Sequence, residues 1–118
     1  MSQQVEPHEL AATVAGYGTA PFLLYSAADG TSARINHVRV SLVEGAPTVT
    51  ITGFGRGVAR RATEGARLSL LWPPSKEDQL SVIADGQGEL TDEDTMVMTI
   101  ESAVLHRPAP PLGESATC

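Results

Sequence analysis

The chain has 118 residues and a mass of 12.4 kDa, with 42% hydrophobic and 19% charged residues, a composition that predicts one globular domain over 1–118. No apolar run approaches the roughly 20 residues of a membrane span, and the single cysteine, Cys118, excludes an intrachain disulfide and a cysteine-based metal site. The net charge of −6 disfavours nucleic acid as a partner, since binding it means neutralising several phosphates at once.

The segment Glu6–Ala15 predicts a short helix, with Pro7 at its first position and Leu10 and Val14 one turn apart on one face. Gly16 and Gly18 end this lead-in, which covers 1–18. Its first ten residues lack a basic stretch followed by an apolar one, so a cytoplasmic location is expected. Pro21 to Tyr25 is a compact apolar run closed by the turn signal Ala28-Asp29-Gly30, and predicts a first strand. A long second strand follows over Arg34–Val43, where Val38, Val40 and Leu42 alternate with His37, Arg39 and Ser41. After Glu44-Gly45-Ala46-Pro47, the β-branched alternation of Thr48–Thr52 predicts a third.

Gly53-Phe54-Gly55-Arg56-Gly57 is too glycine-rich for the interior of either regular structure, whereas Val58–Glu64 suits a short helix that Gly65 would stop. Arg67–Trp72 predicts a fourth strand, cut by Pro73-Pro74, and Leu80–Ala84 a fifth, with a bulge at Asp85-Gly86. The sixth begins at Met96 and runs into His106, and the Pro-rich tail over 107–118 is expected to be mobile. Six short strands with one brief helix between the third and fourth predict a small antiparallel barrel or sandwich.

Charge is unevenly distributed. Residues 34–67 contain Arg34, Arg39, Arg56, Arg60, Arg61 and Arg67 against Glu44 and Glu64, a local balance of +4. A strand end, several glycines and a helix start in succession over Thr48–Arg61 would expose backbone N–H groups at the positive end of a helix dipole. Phosphate suits such a loop, with Arg56 or Arg60 adding charged hydrogen bonds; a plain strand-to-helix connection is the alternative. The loop lacks both the Gly-Lys-Ser/Thr of a Walker motif and the dinucleotide fingerprint. His8, His37 and His106 have no metal-like spacing, and no metal is expected. The carboxylate pairs Glu77-Asp78 and Glu93-Asp94 suit solvated turns. Trp72 and Gln79 flank the proline loop and could frame a flat heteroaromatic ring, although Trp72 equally suits the barrel core.

Several strings in order resemble the flavin-binding split-barrel superfamily, the pyridoxamine 5′-phosphate oxidase-like proteins. They are Ala28-Asp29-Gly30, Thr50 through Arg56, Arg67 through Pro73, Asp78-Gln79-Leu80 and Val104 through Pro108. The resemblance implies a six-stranded antiparallel split β-barrel forming a homodimer, with flavin mononucleotide (FMN) at the interface. It implies phosphate contacts from Thr52, Gly53, Arg56, Arg60 and, from the second strand, Arg34, and ring contacts from Gln79 and Trp72. The family's common helix lysine falls here on Val58, and a frequent arginine on Gly57. The C-terminal substrate segment of true pyridoxamine phosphate oxidases has no counterpart, so an FMN-dependent oxidoreductase of another, unknown substrate is the expectation. A deazaflavin-dependent reductase and a cofactor-free dimeric barrel with a binding or structural role are the alternatives.

Overall fold

A computed structural model describes residues 2–76 and 78–107. The chain forms β1 (Ser2–Val5), a 3-10 turn (Pro7–Glu9), α1 (Leu10–Thr13), β2 (Phe22–Ser26), β3 (Ala33–His37), β4 (Arg39–Leu42) and β5 (Thr48–Thr52). These are followed by α2 (Arg56–Thr63), β6 (Arg67–Trp72), β7 (Ser81–Leu90) and β8 (Thr95–His106). All pairings are antiparallel, in the order β3-β2-β6-β7-β8-β5-β4, with β1 added to β8. Only Val38 separates β3 from β4, the two ends of that path, so the sheet must curl until its edges approach at one corner. The result is a mostly β half-barrel with two short helical segments.

This architecture corrects the expected count of six strands. Ser2–Val5 carries no apolar alternation, yet it pairs with Ala103–His106, because β8 outruns β5 and leaves an edge of unpaired backbone groups there. The long strand over Arg34–Val43 is divided at Val38, whose N–H donates to the Pro21 carbonyl (3.1 Å) as the chain passes from β2 to β5. Alternation survives the break: Val38 and Val40 are buried, and His37, Arg39 and Ser41 are exposed. The fifth strand extends past Ala84 to Leu90, with the ladder slipping at Asp85/Gly86 so that Glu101 is the extra residue on β8. The helix expected over Glu6–Ala15 is reduced to the 3-10 turn and α1, and the second helix begins at Arg56 rather than Val58. The expected mobile tail beyond Arg107 lies outside the described residues.

The core fills the concave side. Leu23, Leu68, Leu70, Trp72, Val82, Ala84, Met96, Met98, Val49 and Ile51 come from the strands, while Leu10, Val14, Val58 and Ala62 come from the helical segments that cover them. Each large aliphatic side chain so enclosed contributes about 1.5–3 kcal/mol. Val58 and Ala62 lie one turn apart, and their burial holds α2 against the barrel, which fixes the loop before it.

Candidate functional site

The loop between β5 and α2 is built from three glycines with different jobs. Gly53 takes φ +81°, a left-handed turn that a side chain disfavours. Gly55 is the N-cap of α2 in an extended conformation open to any residue, and its N–H donates to Asn36 Oδ1 at 3.0 Å. Gly57 lies under Tyr25, where an added Cβ would stand 2.5 Å from the phenol oxygen.

These contacts define which β3 residues face the helix. Asn36 and Arg34 are two residues apart on one strand, hence on the same face and about 7 Å apart. Arg34 is also the cross-strand partner of Tyr25, whose hydroxyl meets Gly57. The structure therefore brings Arg34 to the face that carries the start of α2, through the Asn36–Gly55 bond.

The start of α2 is electropositive for two reasons. Its first turn has Arg56, no acidic residue and no side-chain cap, so backbone N–H groups and a guanidinium share one place. Arg56 and Arg60 occupy the solvent face of the helix, opposite Val58 and Ala62, and neither has an ion-pair partner among the described residues. Arg61 differs, since Nε donates to the Ser26 carbonyl (3.0 Å) and Nη1 reaches Glu64 (2.8 Å). Arg34 has a carboxylate in its field: Asp29 is held below the usual carboxylate range by the Thr31 N–H, then by the Thr31 hydroxyl, with a smaller contribution from Arg34. Val58 is fully buried and the exposed Gly57 carries no side chain, so neither position offers a cation, whereas Arg56 and Arg60 on either side do.

Thr52 and Gly53 sit differently. Thr52 pairs with Arg39 across the β4–β5 ladder, and Arg39 belongs to the outward-facing set with His37 and Ser41. The expected phosphate residues are thus divided between the α2 side of the sheet (Arg34, Arg56, Arg60) and its outer side (Thr52), with Gly53 turning the chain between them.

Trp72 is 1% exposed and belongs to the core; its Nε1 is the buried side-chain polar atom without a partner among the described residues. Gln79 is engaged within its own loop, where Oε1 accepts from the Ser75 N–H (2.7 Å) and the Ser75 hydroxyl (3.1 Å). Trp72 is thus a core residue, whereas the bonds of the Gln79 side chain among the described residues involve its amide oxygen alone. Asn36 and Tyr25, which sequence reasoning did not assign to the site, meet the loop at Gly55 and Gly57. Arg39 was visible as a member of the outward-facing series, but the Asn36–Gly55 bond spans 19 residues and left no local sign.

His37 Nε2–H donates to the Ala20 carbonyl (2.9 Å), and His106 Nδ1 lies 3.4 Å from the Ser2 hydroxyl. Among the described residues no three His, Cys, Asp or Glu side chains gather as a metal site, and no helix is long and apolar enough to cross a membrane. The Asp94 N–H closes a turn on Asp92 Oδ1, while Glu77 lies outside the described residues, as does Cys118. No model of a known protein family matches the chain, and no curated protein matches it either.

Proposed function

We propose that the chain is a flavin-nucleotide-binding oxidoreductase-like protein of the split-barrel type, anchoring the phosphate of FMN at the start of α2. The observation that carries this reading is the concentration of uncompensated donors there: the first-turn N–H groups, Arg56 and Arg60, with Arg34 on the facing strand. A phosphate at this place would accept backbone N–H bonds along the helix dipole and charged bonds from the guanidinium groups. Bound flavin would supply the electron transfer, and the chain would supply the phosphate anchoring and, through Gln79, a contact to the ring.

The half-barrel also suits the dimer that this reading requires. Phe22, Leu71, Ile83 and Val104 form one half-buried apolar row across β2, β6, β7 and β8 on the outer face, and Ile35 beside it is 62% exposed. Burial of such a row against a second copy would remove apolar surface from water.

The visible spectrum of the purified protein tests the proposal. Flavin absorption, or a rise in melting temperature on adding FMN, supports it. Colourless protein with no thermal response to FMN overturns it, and a response to a deazaflavin alone assigns the site to that cofactor instead.

A further inference from the structure

The β2–β6 ladder stops at Leu24–Ser69, although β2 runs on to Ser26 and β6 begins at Arg67. The two strand ends therefore part, and the β2–β3 hairpin stands away from β6. A cavity of about 500 Å³ opens in the gap, with Leu24 and Ser69 where the strands meet, Ser26, Thr31 and Ser32 on the hairpin side and Arg67 on the other. It lies on the outer face of the sheet, since Leu24 and Ser26 alternate with Tyr25, whose hydroxyl meets Gly57 of α2. Ser26 is four residues, about 13 Å, along β2 from Phe22 of the apolar row.

The polar groups of this lining divide by what they still have to offer. Arg67 engages only Nη1, which lies 3.4 Å from both Glu101 carboxylate oxygens. Both side chains are about half exposed, and an ion pair so placed contributes little. Nε and Nη2 therefore keep one edge of the planar fork unused among the described residues. Ser69 donates its hydroxyl proton to Asp85, and Thr31 donates its own to Asp29 (2.8 Å), so toward the cavity both oxygens act as acceptors. The Ser32 hydroxyl has no partner among the described residues, and none of the described residues lining the cavity carries a carboxylate.

We propose that this cavity binds a small polyhydroxylated anion, a sugar phosphate or a sugar acid, with the anionic group on the free edge of Arg67 and hydroxyls donating to Ser69 and Thr31. A bare anion would meet one donor fork and two hydroxyl oxygens with no proton to give it. A neutral polyol would leave the guanidinium unused, whereas a ligand carrying both kinds of group matches the whole lining. The volume falls within the range of small-molecule sites. The inference does not rest on the flavin reading, whose donors gather at the start of α2 on the other face of β2.

The test is a titration of the purified protein followed by amide NMR, with ribose 5-phosphate, gluconate, inorganic phosphate, acetate and sorbitol in separate arms at constant ionic strength. The expected result is a saturable shift of the Ser32, Arg67 and Ser69 amide signals with ribose 5-phosphate, gluconate or both, and the responding arm identifies the anionic group. The three probes that carry only one kind of group bind about tenfold more weakly or worse. Arg67→Gln weakens the response about tenfold or more while the rest of the spectrum keeps its native pattern, and Glu101→Gln, which frees the whole fork, strengthens it. Absence of a saturable shift at these residues with both hydroxylated anions overturns the proposal, as does movement confined to the start of α2. Equal binding of inorganic phosphate, acetate or sorbitol overturns it too, and so does a titration that Arg67→Gln leaves as it was.

Discussion

The phenol oxygen of Tyr25 stands where a side chain on Gly57 would begin, 2.5 Å from the position of an added Cβ. Alanine is otherwise favoured over glycine within a helix by about 1 kcal/mol, so the contact with β2 explains the glycine here. Replacing Gly57 with Ala is expected to be at least about 1 kcal/mol more favourable in a Tyr25→Phe background than in the native chain. Chemical denaturation of the four proteins in the cycle measures this coupling, and additive effects would show that the two residues do not constrain each other.

The bond from Gly55 N–H to Asn36 Oδ1 gives a second expectation. Asn36→Ala should cost about 0.5–1.5 kcal/mol of stability and speed hydrogen exchange at the start of α2 more than at β7. Unchanged exchange at Gly55 would mean that the loop is held by α2 packing alone.

Arg56 is the cation nearest the first-turn N–H groups and has no carboxylate partner among the described residues. Arg56→Ala should weaken FMN binding by about 1.5–3 kcal/mol, read from quenching of flavin fluorescence on titration. An unaltered curve would remove Arg56 from the phosphate site while leaving flavin binding itself intact.

Gly86 lies at the ladder slip, where a Cβ would overlap the Thr99 carbonyl of the neighbouring strand. Because that atom is backbone within a paired strand, it cannot move aside without breaking the ladder. Gly86→Ala should destabilise the protein by about 3 kcal/mol or more, seen as a large fall in Tm. A melt within a degree or two of the native protein would show that the bulge can shift.

Asp29 has a folded-state pKa below its ordinary 3.8, chiefly through the Thr31 N–H and hydroxyl. A depressed carboxylate contributes stability that is fully present above the unfolded value and is lost as pH falls through the folded one. The contribution of this exposed turn should therefore hold at neutral pH and fade only below about 3.8. Comparison of Asp29→Asn with the native chain in melts from pH 6 to pH 2 checks the sign: the difference should narrow toward the acid end.

The dimer expected for a split barrel is measured by light scattering. A stable monomer at micromolar concentration would count against a cofactor site shared between copies.

Much of the secondary structure was legible in the sequence because its causes are local. Period-two alternation marks Thr48–Thr52 and Arg67–Trp72 as strands, and Leu68, Leu70 and Trp72 fill the core on one face. Ser2–Val5 could not be read in that way, since its pairing depends on a length of β8 edge about a hundred residues away. The same holds for the site. The run from Gly53 to Arg61 announced a positively charged connection, because glycine and arginine state their chemistry wherever they stand. Only the curled sheet decided that Asn36 and Tyr25 would seat that connection, that Trp72 would be enclosed, and that Arg39 would turn to the other face beside His37. Composition and periodicity determined the elements and the sign of the charge; the closing of β3 onto β4 through Val38 determined which charges meet.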